Sequence, residues 1–254
     1  MTQNSAQSGN LVEVFSGIQG EGIYVGRRQI FIRTCGCNLD CAYCDTPGPR
    51  SRVAVCRLER TPGLRDFVEL PNPVSLDRIT ECVRTLNSPP GLHHSVALTG
   101  GEPLVDAGWT IEIARALKES GMRVMLETNG SLPEELRSAL SFLDIISMDI
   151  KLPSTTGGPD LTDEHKRFML VAAERELYVK MVVCSSTQTE EIDAAAGMVR
   201  EVERRIPVVI QPVTELGGVH PPSPDQVLAW QSLCAEYVDD VRVIPQCHKI
   251  LGQL

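Results

Sequence analysis

A chain of 254 residues that is 42% hydrophobic and 22% charged is long enough to bury a full core and short for two ordinary domains, which excludes a disordered or fibrous protein. Its 24 Lys and Arg against 33 Asp and Glu leave a net charge of −9 without long runs of either sign, the wrong balance for gripping phosphate backbones or anionic lipid. No stretch approaches the ~18 consecutive apolar residues of a membrane helix, and the opening MTQNSAQSGN has neither the basic start nor the apolar centre of a secretory leader. The expectation is a cytoplasmic protein without nucleic-acid or membrane partners, with residues 1–254 as one domain and 1–10 as a flexible leader.

Leu11–Phe15 and Gln29–Arg33 read as strands, separated by a loop containing Gly17, Gly20, Gly22 and Gly26. The Pro- and Arg-rich connector at 47–74 has no assigned structure. Ser75 then offers a cap to a helix whose Leu76, Ile79, Val83 and Leu86 recur at helical spacing. Beyond it a unit repeats. Val96–Thr99 precedes helix Asp106–Ser120, Val124–Glu127 precedes Pro133–Leu140, and Ile145–Lys151 precedes Thr162–Glu176. Tyr178–Val183 and Val208–Gln211 are followed by helices Ile192–Val202 and Val227–Tyr237, the latter started by Ser223-Pro224, and Val241–Ile244 is the last strand. Strict alternation implies parallel strands joined by right-handed crossovers. With about six or seven such units the class is α/β, an incomplete (β/α) barrel, a flat doubly wound sheet being the other arrangement the pattern allows. In both, the polar segments after each strand gather at the carboxyl edge, where such folds place their chemistry.

Four of nine cysteines, Cys35, Cys37, Cys41 and Cys44, crowd into ten residues after the second strand. In a reducing compartment that crowding points to metal before disulfide. Cys37-x₃-Cys41-x₂-Cys44 supplies three thiolates to one centre, one short of an ordinary [4Fe–4S] cluster. The iron left open can take the amino group and carboxylate of S-adenosylmethionine (SAM), whose carbon–sulfur bond an electron from the cluster can break. A zinc loop that also uses Cys35 is the competing reading of the spacing alone.

Other residues carry weaker signals. The glycines of Thr99-Gly-Gly-Glu-Pro103 let backbone come close to a ligand. Ser147, Asp149 and Lys151 alternate with apolar Met148 and Ile150, so one polar face reaches the strand end. Gln19 and Glu21 together match a donor and acceptor edge, and Arg33 can grip a carboxylate with two hydrogen bonds. Taken alone, Glu127 and Gln211 read as loop caps, His248 as a surface residue, and His93–His94 as part of a surface loop. Cys82 and Cys234 lie on helix faces and read as small apolar core residues.

The three-cysteine loop with Tyr43 before its last Cys resembles the radical SAM superfamily. Phe15-Ser-Gly-Ile-Gln-Gly-Glu-Gly22, Phe31-Ile-Arg33, Cys44-Asp-Thr46, Thr99-Gly-Gly-Glu-Pro103 and Gln246-Cys-His-Lys249 resemble the 7-carboxy-7-deazaguanine synthase family within it, over residues 11–249. Gly17 in place of the usual Ser or Thr, the extra Cys35 and Cys247 depart from that pattern. The resemblance implies a [4Fe–4S] cluster on Cys37, Cys41 and Cys44. It implies SAM held by Tyr43, Gly101, Glu102, Ser147, Asp149 and Lys151. The implied pterin site is Ile18, Gln19, Gly20, Glu21, Arg33, Thr99, Glu127, Gln211 and His248, with Mg²⁺ at Thr46. The implied activity is a lyase that contracts 6-carboxy-5,6,7,8-tetrahydropterin to 7-carboxy-7-deazaguanine with loss of ammonia, in queuosine-type deazapurine biosynthesis. An electron-donor protein and a homodimer are also implied. Two other functions use part of these features. A glycyl-radical-enzyme activase would share the cysteine loop and Gly-Gly-Glu-Pro but has no use for Ile18–Glu21, Arg33 and His248 together; a non-catalytic zinc module would hold zinc in place of iron and sulfide.

Overall fold

The computed structural model of the chain describes residues 8–44, 52–216 and 218–252. Strands β1 (Ser8–Gly9), β2 (Leu11–Ile18), β3 (Arg28–Thr34), β4 (Val55–Glu59), β5 (Phe67–Pro71) and β6 (Val74–Ser75) lead into helix α1 (Leu76–Leu86). Strand and helix then alternate. β7 (Ser95–Gly100) precedes α2 (Ala107–Glu119), β8 (Val124–Thr128) precedes α3 (Pro133–Ala139), and β9 (Ile145–Ile150) precedes the short α4 (Pro153–Thr156) and α5 (Thr162–Ala172). β10 (Glu176–Val183) precedes α6 (Thr189–Glu203), β11 (Val208–Pro212) precedes α7 (Pro224–Ala235), and β12 (Val241–Val243) precedes α8 (Cys247–Ile250). No helix among the described residues is long and apolar enough to cross a membrane.

Ten strands form one sheet in the order β12-β11-β10-β9-β8-β7-β3-β2-β4-β5. From β3 through β7 to β12 seven successive strands run parallel, and their spatial order is their chain order. Each crossover therefore advances one strand in the same direction, and crossovers of one hand stack their helices on one face. Apolar side chains of α1, α2, α3, α5, α6 and α7 share a single cluster with that face. Such winding curls a sheet into a barrel wall. Among the described residues β12 and β5 do not pair with each other, so the barrel is incomplete.

The side-chain period of two divides each strand between two environments. Val96 and Leu98, Val124 and Leu126, Ile146, Met148 and Ile150, Val179 and Met181, and Val208 and Ile210 face the helices. The intervening residues face the concave side. Towards the amino ends these are Met125, Ile145, Tyr178 and Val209, an apolar floor with Ile23, Tyr24 and Ile244 packed on it. Towards the carboxyl ends they are polar: Arg33, Thr99, Glu127, Ser147, Asp149, Lys180 and Gln211.

The repeated strand–helix unit matches the expectation from the sequence, with ends shifted by a few residues. α5 stops at Ala172 rather than Glu176, because Glu174 and Arg175 turn back onto Val171 and Ala172 and Glu176 opens β10. Ser223 caps α7 through a reciprocal box with Gln226, whereas Ser75 sits at the start of α1 without donating or accepting a capping bond. The connector is structured where it is described. Cys56 and Leu58 of β4 face the core, β4 runs parallel to β2, and β5 returns antiparallel, so the pair extends the sheet. Ser8–Gly9 of the expected leader pairs with β6. Cys82 and Cys234 are buried, as small apolar residues would be. His93 corrects the surface-loop reading. It is buried, with Nε2 2.8 Å from Ser16 Oγ and Nδ1 3.3 Å from Asn87 Oδ1, a pairing across the sheet that no local signal announces.

Candidate active site

The carboxyl ends of the strands open into a cavity of about 490 Å³, a size suited to a small ligand. Cys37, Cys41 and Cys44, with Tyr43 between them, line one wall. Burial raises the thiol pKa of Cys37 and Cys41, and the neighbouring thiols raise it further while Lys151 pulls it down, so the three thiols and the ammonium act on one another. The loop is seated on Gly-Gly-Glu-Pro: Glu102 N–H donates to Gly36 O at 2.7 Å, and a Cβ on Gly101 would overlap that same carbonyl. Gly100, with φ +134°, packs as closely on Thr34. The close approach that glycines permit is thus made to the cysteine loop itself. Cys35 does not line the cavity; it lies beside Arg52, Val53 and Cys56.

β9 forms the adjoining wall. Lys151 Nζ donates to Asp149 Oδ2 at 2.8 Å and to the Tyr43 hydroxyl at 3.1 Å, and lies 5.2 Å from the Tyr43 ring centre. Burial disfavours the ammonium, yet Asp149, Tyr43 and Cys41 outweigh it and hold the lysine charged. Asp149 Oδ1 and Gln211 Oε1 are buried acceptors without a protein partner, and both residues line the cavity. Buried acceptors left open are costly in a folded chain, which marks a place built for a polar ligand.

The opposite side is a chain of amides and carboxylates. Gln19 Nε2 donates to Glu127 Oε1 at 2.7 Å and Gln29 Oε1 at 2.9 Å, and Glu127 Oε2 accepts from Thr99 Oγ1 at 2.8 Å. Glu21 is ion-paired with Lys180 and accepts from Gln246 Nε2 at 3.1 Å. Burial pushes its carboxyl upward, but Lys180, Gln246 and His248 together hold it down at about 2. Arg33 Nε meets Glu13 Oε1 at 2.9 Å, and both residues line the cavity. The C-terminal α8 closes this side: Cys247 N–H donates to Gly20 O at 2.9 Å, and any Cβ on Gly20 would overlap His248. Ile18, Gly20 and His248 therefore line the cavity together although they come from opposite ends of the chain.

Every expected site residue within the described segments borders this cavity except Glu102. Its carboxylate turns behind the wall to accept from Asn129 N at 2.7 Å, Thr128 Oγ1 at 2.9 Å and Leu104 N at 3.1 Å, tying the end of β7 to the end of β8. Burial pushes the group up to about 7 while those donors pull it down. Thr46 lies outside the described residues. Lys180, absent from the sequence-level site, had a signal: a lysine in the middle of the apolar run Tyr-Val-Lys-Met-Val on the inward period. No three thiol, imidazole or carboxylate groups among the described residues stand together so as to hold a single metal ion. The donor set fits an iron–sulfur cluster with SAM beside it: three thiols on one wall, a charged lysine and two open acceptors.

A one-way parallel sheet with three cysteines after its first parallel strand is the arrangement of radical SAM enzymes, and the model of the Radical SAM superfamily matches residues 31–182. The chain is 44% identical over 251 residues to the 7-carboxy-7-deazaguanine synthase of Geobacter sulfurreducens, covering 98% of this chain and 100% of that protein. It is 37% identical over 245 residues to the enzyme of the same name from Methanopyrus kandleri, covering 95% and 93%. Among solved structures, QueE from Escherichia coli superposes with a TM-score of 0.58 at 20% identity over 95% of both chains. A radical SAM methyltransferase from Sphaerobacter thermophilus shares the fold at TM-score 0.61 and 13% identity, over 86% of this chain and 66% of that one. The chain belongs to the 7-carboxy-7-deazaguanine synthase family of the radical SAM superfamily.

Proposed function

We propose that the protein is a carbon–nitrogen lyase that converts 6-carboxy-5,6,7,8-tetrahydropterin to 7-carboxy-7-deazaguanine, the loss of one ammonia balancing the ring contraction, in queuosine-type deazapurine biosynthesis. The observation that carries the reading is the joining, in one cavity, of the three-cysteine wall to a wall of paired amide and carboxylate groups. Cys37, Cys41 and Cys44 hold the cluster. Tyr43, Gly101, Ser147, Asp149 and Lys151 hold SAM, and Glu102 keeps Gly101 in place from behind. When bound, cluster and SAM supply a radical able to remove hydrogen from C6 of the pterin. The chain's own residues hold the pterin in place for that event. Gln19, Glu21, Glu127 and Gln211 pair with the N–H and C=O groups of the heterocycle, supported by Thr99 and by the backbone at Ile18 and Gly20. Arg33 and His248 face its carboxylate. Thr46 binds Mg²⁺, which takes one or two protein oxygens and keeps places for substrate oxygens. An external protein supplies the electron, and the working form is a homodimer.

The experiment is anaerobic: reconstituted protein, the pterin, SAM, Mg²⁺ and a chemical reductant, with product identified by mass. Formation of 7-carboxy-7-deazaguanine over many turnovers per SAM is expected. Protein that carries iron and sulfide and cleaves SAM yet leaves the pterin unchanged would overturn the assignment.

A further inference from the structure

Lys180 has no part in the resemblance on which the substrate site rests. On β10, Leu177, Val179, Met181 and Val183 face the helices, which leaves Tyr178, Lys180 and Val182 inward. An ammonium in the middle of a buried strand is expensive unless paired. Lys180 is 7% exposed, its Nζ sits on Glu21 Oε2, and the strand register sets it opposite Asp149. Both Lys180 and Glu21 line the cavity, so a donor and a carboxylate acceptor stand side by side at its wall. Adjacent donor and acceptor complement a cyclic amide, whose C=O and N–H are also adjacent. We propose that Lys180 is a positioning residue for the substrate: it holds the Glu21 carboxylate in the orientation that takes the ring N–H of a fused pyrimidinone. The inference rests on the pterin reading above and names the residue that makes Glu21 competent for it.

Lys180 faces Glu21, Asp149 from β9, Glu127 from β8 and Tyr178 of its own strand, while Glu21 itself faces Lys180, Tyr178, Gln246 and, from α8, His248. Without the lysine, Glu21 loses its ion pair and keeps a phenol, the Gln246 amide and an imidazole as neighbours. Burial, the largest influence on Glu21, then pushes its carboxyl upward with less to oppose it. In the intact protein it stays ionised at every working pH, because Lys180, Gln246 and His248 hold it at about 2.

The test uses reconstituted holoenzyme from pH 6 to 9, measuring pterin affinity, KM and kcat for the intact protein, Lys180→Met, Lys180→Arg, Glu21→Gln and the double variant Glu21→Gln/Lys180→Met. Lys180→Met should weaken pterin binding by roughly 10- to 100-fold at pH 6.5, mostly through KM, and recover as pH rises, an acid limb the intact enzyme lacks. Lys180→Arg should keep the flat profile. The double variant should bind no worse than Glu21→Gln alone, since residues acting as one unit are not additive. In ligand-free protein, the ¹³C resonance of the Glu21 carboxyl should titrate at higher pH in Lys180→Met than in the intact protein or Lys180→Arg. A flat pH profile for Lys180→Met, or losses that multiply in the double variant, would overturn the proposal. Intact holoenzyme that holds cluster and SAM but binds no pterin would defeat the substrate reading and this inference with it, and the ¹³C titration would still report whether Lys180 sets the charge of Glu21.

Discussion

At the scale of single residues, two glycines decide whether the cysteine loop can sit where it does. A methyl on Gly101 would overlap the carbonyl of Gly36, and that backbone cannot retreat without carrying Cys37 with it. Gly101→Ala should therefore lose most bound iron and sulfide while keeping its far-ultraviolet circular dichroism. Gly108→Ala, on α2 with nothing within 4 Å of the added atom, should keep both. Equal iron in the two variants would show that the loop does not depend on this seat. Thr46 carries the proposed Mg²⁺ contact: Thr46→Val should retain cluster and SAM binding yet lose most Mg²⁺ stimulation of turnover. Full Mg²⁺-responsive activity in that variant would remove Thr46 from the metal. The crowding of thiols and the Ser147-Asp149-Lys151 file were legible because loop compactness and strand alternation are local, although spacing alone kept Cys35 among the thiols and the resemblance was needed to set it aside. The destination of Glu102 was not. A carboxylate after two glycines reads the same whether it faces the cavity or turns back to Thr128 and Asn129, and the partners that decide are on the next strand.

At the scale of elements, α8 shows how a segment can matter to the site and little to the fold. It buries no side chain completely, yet its first turn is pinned to Gly20 through Cys247 N–H, and Gln246 reaches Glu21. Gly20→Ala should push α8 outward by crowding His248, raising KM for the pterin about tenfold or more with a midpoint of denaturation within about 0.5 kcal/mol of the parent. A variant that loses stability and kcat together would argue that α8 belongs to the core. The alternating strands and helices were readable because each carries a full period of buried positions. The β4–β5 hairpin was hidden in a connector dense with Pro and Arg, although Val-Cys-Arg-Leu-Glu does alternate. The docking of α8 was hidden for a different reason: its partner, Gly20, lies at the far end of the sequence, and a terminal His has no local mark of being tied down.

At the scale of the whole molecule, acid should unfold the protein in two stages. Burial holds His93 and His165 neutral and lowers each to about 4. An unfolded histidine binds its proton near 6.5, so between about pH 6.5 and 4 the unfolded chain takes up protons the native chain refuses, and stability falls as pH falls. Glu21, held at about 2 in the native chain, adds a second loss below about pH 4.5, where the unfolded carboxyl protonates first. Denaturant unfolding at pH 7.5, 6, 5 and 4 should give a declining free energy, with a shallower decline above pH 4.5 in His165→Gln. A constant stability from pH 7.5 to 5 would contradict the buried, neutral imidazoles. The parallel direction of β7 to β12 followed from alternation in the sequence, while their order in the sheet was left between a barrel wall and a doubly wound sheet. What alternation could not supply was the sheet's extension by β2, β4 and β5, antiparallel at β3–β2 and β4–β5 and parallel at β2–β4, which depends on long-range pairing. The division of each parallel strand into a helix-facing file and a cavity-facing file has an evolutionary consequence. Replacements at alternate positions can reshape what the enzyme accepts while the intervening apolar file, which carries most of the burial, stays as it is. Descendants of such a chain can acquire new chemistry by rewriting one file, with the other inherited untouched.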